Sequence, residues 1–282
     1  MKIWLLVTLA ACNHALDQRL AILDEPRVLA VTADPAEAKP GAMVAYAALI
    51  GGPDGPITDA PAWSYCTASK PPTEDNAVSS LCLGDTALVA LGDTATVTAT
   101  MPADACIQFG PDVPSGGFRP RDADPTGGYY QPVRADVDAL TAFGLSRITC
   151  DLPNVAGDIA HEYQLDYVAN VNPTILPLAP GDVAADSDVQ LTAGWPAEAV
   201  ESFLYFDPLA QQLVMRRESM RLSWFATGGS MLVDASAVGE DDPATTVTTT
   251  WHTPAAGPAT LWLVLRDSRG GIATQIVSVT VR

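Results

Sequence analysis

Histidine is the side chain best suited to acid–base catalysis near neutral pH, and this sequence contains three, His14, His161 and His252. None of them has a recognisable nucleophile close to it in the sequence. The chain also lacks the G-x-S-x-G, H-E-x-x-H and G-x-x-x-x-G-K-[ST] motifs of hydrolases, metalloproteases and nucleotide-binding proteins. We therefore expect a protein that is not an enzyme. The alternative is a hydrolase whose active site is assembled from residues that lie far apart in the sequence.

One acidic segment is the best candidate for a metal site. Asp122, Asp124 and Thr126 alternate along the chain ahead of two glycines, as at the start of an oxygen-rich calcium loop. The twelfth position of this loop is Val133 in place of the glutamate of an EF-hand, so another geometry would be needed. Asp, Pro and Gly also form tight surface turns without a metal, and that interpretation stays open. We expect no required cofactor, with calcium as the candidate ligand.

The body of the chain contains an even number of cysteines, namely Cys66, Cys82, Cys106 and Cys150. Their successive separations of 16, 24 and 44 residues include no close pair of the kind that binds zinc. Four cysteines allow three disulfide pairings. We favour Cys66–Cys82 with Cys106–Cys150, because local loops are the easiest to close.

The first twelve residues have the pattern of an export signal. Met1-Lys2 precedes a short apolar run, two alanines and Cys12, and this run is well below the roughly 20 residues of a spanning helix. Leu9-Ala10-Ala11-Cys12 resembles the lipobox of bacterial lipoproteins. The resemblance implies cleavage before Cys12, acylation of Cys12 and anchoring in the outer membrane, since Asn13 is not the aspartate of an inner-membrane retention signal. An ordinary secretory signal beside an unmodified cysteine is the alternative.

The charge of the chain narrows the range of partners. Lys and Arg number 15 against 33 Asp and Glu, a net charge of −18. This balance argues against binding to nucleic acid and against adhesion to anionic lipid by charge. No Lys or Arg occurs between Ile148 and Met215, which indicates a solvated acidic surface or a face for basic partners. Membrane attachment is therefore expected through the lipid.

Alternation of apolar and polar residues predicts β-strands through most of the chain. The pattern is clearest from Thr94 to Met101 and recurs from Met220 to Ala226. Leu261–Leu265 and Ile272–Val281, with a short Gly-containing connection, predict an antiparallel hairpin. The alternation from His161 to Val171 predicts a further strand, with His161 on its packed face. No helical period of useful length is found.

Residues 223–229, 250–257 and 265–271 resemble the second half of bacterial Ig-like and PKD-type β-sandwich domains. The earlier part of the chain is similar in strand spacing. Trp63 lies shortly before Cys66, and this resembles the core Trp that lies near a bridging Cys in Ig domains. A Pro- and Gly-rich insertion over residues 109–131 departs from the seven-strand layout. The resemblance implies an all-β fold of two Ig-like antiparallel β-sandwich domains.

The predicted organisation is a signal peptide over residues 1–11, the lipidated cysteine with a tether over 12–25, a disulfide-containing sandwich over 26–172 and a second sandwich over 173–282. As a whole the chain resembles bacterial surface lipoproteins with such domains, which share no single activity. We predict a membrane-anchored, non-catalytic binding, adhesion or scaffolding module in the periplasm or at the cell surface. Its expected partners are an envelope protein or polysaccharide, and not nucleic acid. The lipid-anchored hydrolase remains the alternative.

Overall fold

The computed structural model describes residues 20–71, 74, 77–112 and 124–282 of the chain. Residues 1–11, Cys12 and Asp122 therefore lie outside the described residues. The described strands form two bodies, which we call the N-terminal body (strands β1–β9) and the C-terminal body (strands β10–β18). The prediction of an all-β, largely antiparallel sandwich fold is confirmed.

The N-terminal body packs a sheet containing β1, β3, β4 and β7 against a five-stranded sheet of order β2-β9-β8-β5-β6. Its core lies between the sheets, where the hydroxyl oxygens of Tyr46 and Tyr65 are 3.0 Å apart. Its elements and the helix that follows them are β1 (Arg27–Asp34), β2 (Glu37–Ala38), β3 (Met43–Gly52), β4 (Gly55–Ile57), β5 (Ala62–Cys66), α1 (Ser80–Leu83), β6 (Leu88–Gly92), β7 (Thr96–Thr100), α2 (Ala105–Gln108), β8 (Gly128–Val137), β9 (Leu140–Thr149) and α3 (Gly157–Asp166).

The C-terminal body packs a sheet of order β15-β13-β17-β18 against one of order β10-β16-β14, and the β11–β12 hairpin is separate. Trp195, Trp224 and Trp251 fill the core between the two larger sheets. The predicted terminal hairpin is confirmed as β17 paired with β18. The elements are β10 (Asp188–Gly194), a 3₁₀ turn (Ala197–Ala199), β11 (Ser202–Asp207), β12 (Gln212–Arg217), β13 (Met220–Ala226), β14 (Ser230–Met231), β15 (Ala235–Val238), β16 (Thr246–His252), β17 (Gly257–Asp267) and β18 (Ile272–Val281).

The strand predicted from His161 to Val171 is wrong, because α3 occupies Gly157–Asp166. Tyr163 and Tyr167 are the inward-facing residues, with ring centroids 4.8 Å apart. Residues four apart lie on the same face of a strand, whose period is two, and also on the same face of a helix, whose period is 3.6. The spacing of these two tyrosines therefore could not distinguish a strand from a helix. His161 is exposed on the helix surface and does not lie on a packed face.

The two bodies share a small apolar interface. Leu23 and Leu29 pack there against Trp262 and Val264 of β17. A Cβ on Gly51 would lie 2.6 Å from Leu23 Cδ1 and 3.0 Å from Trp262 Cε2, so a larger residue there would force these side chains to shift.

This contact corrects the expectation of a free tether over residues 12–25. Ala21 and Leu23 are buried, and their backbones hydrogen-bond to Ala226 in β13. Burying these side chains against the C-terminal body removes them from water, so residues 21–23 belong to the folded part. The boundary predicted at residues 172 and 173 falls in the extended segment between α3 and β10.

Candidate functional site

The junction between the two bodies contains a cleft of about 330 Å³, which we call the junction cleft. Thr126 and Tyr130 line it from the N-terminal body, and Tyr205, Arg216 and Glu240 line it from the C-terminal body. Its volume lies at the lower end of the range of small-ligand sites, roughly 300–1,000 Å³. Since both bodies supply walls, the site exists only when they are docked.

A buried ion pair supports the wall on the N-terminal side. Arg147 Nε donates to Glu37 Oε2 over 3.1 Å, and the side chains of both residues are at most 1% exposed. Glu37 also accepts hydrogen bonds from the Thr149 hydroxyl at 3.0 Å and from the Tyr167 hydroxyl. Burial alone would lower the pKa of Arg147, but Glu37 and the nearby tyrosines raise it, so the guanidinium stays charged. Arg147 Nη2 then holds the Thr126 hydroxyl at 2.8 Å at the edge of the cleft.

Asn170 links this ion pair to the C-terminal body. Its backbone N–H donates to Glu37 Oε2 over 2.8 Å, and its side-chain amide donates to Asp267 Oδ1 over 3.2 Å. Asp267 also accepts from the backbone N–H of Arg269 at 2.9 Å. A continuous set of hydrogen bonds therefore connects Arg147 in β9 to the turn between β17 and β18.

Arg269 is the centre of a second buried group of charges. Its Nε donates to Glu218 Oε1 at 2.8 Å and its Nη2 to Glu201 Oε2 at 2.9 Å. Its Nη1 donates to the Val168 carbonyl at 3.0 Å. Arg269 and Glu218 are each 1% exposed. Burial, and then the neighbouring Asp267 carboxylate, raise the pKa of Glu218 to about 7, although Arg269 opposes the rise.

Stability is expected to fall as the pH rises from about 4.5 to 7, because folded Glu218 keeps a proton that the unfolded chain releases in this range. The shift corresponds to at most about 3 kcal/mol, since one pKa unit is about 1.4 kcal/mol. Chemical denaturation of the wild type and of Glu218→Gln across this range measures the effect. As the pH rises, the free energy of unfolding of the wild type should fall relative to that of Glu218→Gln, whose neutral amide does not titrate, and a constant relative stability would contradict the assignment to Glu218.

The mouth of the cleft carries a more exposed ion pair. Arg216 Nε donates to Glu240 Oε2 at 2.9 Å, and the two side chains are 38% and 35% exposed. The Arg216 guanidinium lies over the Tyr205 ring, 4.6 Å from its centroid. The adjacent Arg217 instead donates to the Asp242 carbonyl and is not part of the lining. Arg216 is thus paired with an acid.

Two of the three candidate calcium ligands lie among the described residues. Asp122 lies outside the described residues, whereas Asp124 and Thr126 stand at the edge of the junction cleft. Asp124 Oδ1 accepts from the Thr126 N–H at 2.8 Å and from the Thr126 hydroxyl at 2.6 Å, which is the geometry of an Asx turn. Among the described residues, no group of three or more acidic, His or Cys side chains is arranged to hold a metal ion.

Calcium binding at this segment stays a prediction with a simple test. If Asp122 and Asp124 bind the ion, millimolar calcium should raise the melting temperature, because a ligand that binds only the folded state stabilises it. Asp124→Ala should abolish the shift. If calcium leaves the melting temperature of the wild type unchanged, the prediction of a calcium site is wrong.

Two disulfides join the cysteines, Cys66 to Cys82 and Cys106 to Cys150. This is the pairing that the sequence favoured. The first ties β5 to α1, and the second ties α2 to the residue after β9. The first therefore lies ahead of the insertion over residues 109–131, and the second closes a loop that contains it.

The longer loop should give the larger stabilisation. Replacing both Cys106 and Cys150 with Ala opens a loop of 44 residues, whereas the same change at Cys66 and Cys82 opens one of 16. The loop-entropy model predicts losses of about 4 and about 3 kcal/mol, respectively. Urea denaturation of the two double variants measures these losses, and a reversed order would contradict the entropic explanation.

The histidines of the described chain lie away from the cleft. His252 Nδ1 is 2.9 Å from Asp188 Oδ1, but the two side chains are 52% and 73% exposed. Ser230 is paired with His252 in register on the next strand, so the three residues form a row across the sheet. The row faces solvent, and no side-chain hydrogen bond joins Ser230 to His252 within the described part.

The residues that support the cleft carry no motif and were missed in the sequence. Arg147 lies between Ser146 and Ile148 in a buried part of β9, but this burial is visible only in the structure. A charged residue at such a position is expected to have a buried partner. The partner, Glu37, is 110 residues away in the sequence and has no signal of its own.

None of the described helices is both long enough and apolar enough to cross a membrane. The lipidation site predicted at Cys12 lies outside the described residues.

No protein-family model and no curated protein matches the chain. Among solved structures, the fibronectin(III)-like modules of Clostridium thermocellum CbhA are 12% identical, cover 90% of this chain and 94% of their own, and give a TM-score of 0.27. The D0-D1 domain of intimin is 12% identical over 90% of this chain and 98% of its own, with a TM-score of 0.24. The Yersinia pseudotuberculosis adhesin InvE is 11% identical over 89% of this chain and 58% of its own, with a TM-score of 0.25. Similarities this low carry no argument about function, and the fold assignment therefore comes from the chain's own sheets.

Proposed function

We propose that this protein is a non-catalytic binding module, held at the bacterial outer membrane by a lipid on Cys12, and that the junction cleft is its binding site. The observation that carries the proposal is the buried hydrogen-bonded network from Arg147 to Arg269, which joins both walls of the cleft. Walls fixed in this way lose little freedom when a ligand binds, so more of the contact energy appears as affinity.

The proposed partner is a component of the cell envelope, either a protein or a polysaccharide. The net charge of −18 disfavours nucleic acid and anionic surfaces. A lipid at Cys12 would place the two bodies beside the membrane, facing the periplasm or the cell exterior. Adhesion and scaffolding are both served by a rigid cleft in this position.

The alternative function is hydrolysis, and the row of Asp188, His252 and Ser230 is the observation that favours it. A serine hydrolase requires a hydrogen-bonded nucleophile and donors for an oxyanion, normally in a cleft that excludes water. The exposed row has none of these features among the described residues. A fluorophosphonate probe should leave the protein unlabelled, and labelling that is lost in Ser230→Ala would establish the hydrolase instead.

Affinity capture tests the binding function directly. The full chain with a C-terminal tag, purified in detergent after mild cross-linking in cells, should retain an envelope component. A variant with Tyr205→Ala and Arg216→Ala alters the cleft and should lose it, whereas Arg217→Ala, next to the cleft on the same strand, should keep it. Equal capture by all three proteins would place the binding site elsewhere.

A further inference from the structure

The guanidinium groups that line the junction cleft are already matched by protein carboxylates, whereas the carboxylate of Asp124 in the lining has no ion pair among the described residues. Arg147 donates to Glu37, Arg269 to Glu218 and Glu201, and Arg216 to Glu240. An anionic ligand would have to compete with these carboxylates for the same guanidinium groups. It would also approach a chain of net charge −18. The electrostatics therefore disfavour an anionic ligand, and an uncharged ligand would not have to compete with these carboxylates.

The surface left within the cleft is rich in hydroxyls and planar polar groups. Thr126, Tyr130, Ser219 and Ser268 are the hydroxyl-bearing residues of the lining, and the hydroxyls of Thr126 and Tyr130 already donate to Asp124 and to the Arg269 carbonyl. Two of the five N–H donors of the Arg216 guanidinium bind Glu240, so three are left for a ligand. The carboxylate oxygens of Glu240 can accept further hydrogen bonds. The ligand is therefore expected to carry many groups that both donate and accept hydrogen bonds.

Aromatic rings provide the apolar part of the lining. Tyr130 and Tyr205 are each half-buried at the cleft and stand on opposite bodies. The Tyr130 hydroxyl donates to the Arg269 carbonyl at 3.2 Å, which fixes this ring at the junction. Arg216 covers one face of the Tyr205 ring, and the remaining ring surface can pack against a flat apolar face while the polar end of the side chain stays in contact with water. A ligand with an apolar C–H face and an edge of hydroxyls would match both the aromatic and the polar residues of the lining.

We propose that the junction cleft binds an uncharged carbohydrate, with sugar rings against Tyr205 and Tyr130 and sugar hydroxyls hydrogen-bonded to Arg216 and Glu240. This inference rests on the proposed binding function and specifies its ligand class. Because the walls come from both bodies, the bound sugar also stabilises their docking, and it should raise the melting temperature.

The test uses the full chain in detergent and polysaccharide released from envelopes of the host bacterium, separated by ion exchange into uncharged and charged pools. Calorimetric titration should show binding of the uncharged pool. Tyr205→Ala and Arg216→Ala should each weaken it about tenfold, a change worth about 1.4 kcal/mol. Arg217→Ala serves as the matched control and should bind within about twofold of the wild type. The melting temperature of each free variant verifies that it is folded.

Three results would overturn the inference: no binding of the uncharged pool by folded wild-type protein, binding of the charged pool alone, or equal affinity in the wild type and both cleft variants. The capture experiment separates this failure from failure of the binding function. A protein partner captured by the wild type and lost on altering the cleft would uphold the binding module while refuting its carbohydrate ligand. If the wild type neither captures a partner through the cleft nor binds a carbohydrate, the proposed binding module is refuted.

Discussion

Replacing Glu37 with alanine is expected to lower the free energy of unfolding by about 3–5 kcal/mol, because the change leaves the Arg147 guanidinium buried without its counter-charge. The side chains of Glu37 and Arg147 are at most 1% exposed, so water cannot take the place of the lost carboxylate. The backbone N–H of Asn170 and the Thr149 hydroxyl lose their acceptor in the same variant. Denaturation in urea measures the loss.

Two further variants separate the ion pair from simple loss of packing. Replacing Glu37 and Arg147 together with methionine removes both charges and should recover much of the stability, since paired apolar substitutes often equal a buried ion pair. Glu240→Ala breaks the pair with Arg216, whose side chain is 38% exposed, and should cost less than about 1 kcal/mol. A loss below about 1 kcal/mol in Glu37→Ala would refute the structural role assigned to the pair.

Replacing Cys12 with serine is expected to move the protein from the membrane fraction to the soluble fraction. Two or three acyl chains give a durable anchor at about 0.8 kcal/mol per buried CH₂, whereas a body of net charge −18 is repelled by anionic lipid. Fractionation of cells and intact-mass measurement of the purified protein follow the change together. The wild type should carry the mass of the lipid and begin at residue 12.

The control for this experiment is the Cys66→Ala, Cys82→Ala double variant. It removes two other cysteines that the structure joins as a disulfide, and it should stay in the membrane fraction. Unchanged fractionation of Cys12→Ser, or an unmodified N-terminus in the wild type, would remove the lipid anchor from the proposed function. The junction cleft and its ligand test would stand independently of that outcome.

Strands were predictable from sequence where one face is buried and the other is wet. The alternation from Thr94 to Met101 gave β7, whose burial alternates between exposed and buried along Thr96–Thr100. Met220–Ala226 and the terminal hairpin followed from the same period. Helix α3 was missed because Tyr163 is its single buried residue, and one inward position does not establish a period.

The sequence by itself determined the class of fold, the disulfide-forming character of the body and the acidic charge, since each depends on composition or on spacing along the chain. Only the tertiary structure decided where a ligand can bind. The junction cleft needs residues from Thr126 to Arg269, and its supports pair Glu37 with Arg147 across 110 residues. Pairings of that length leave no local period, because the energy that selects them comes from burying both partners together when β2 and β9 come side by side in the N-terminal body.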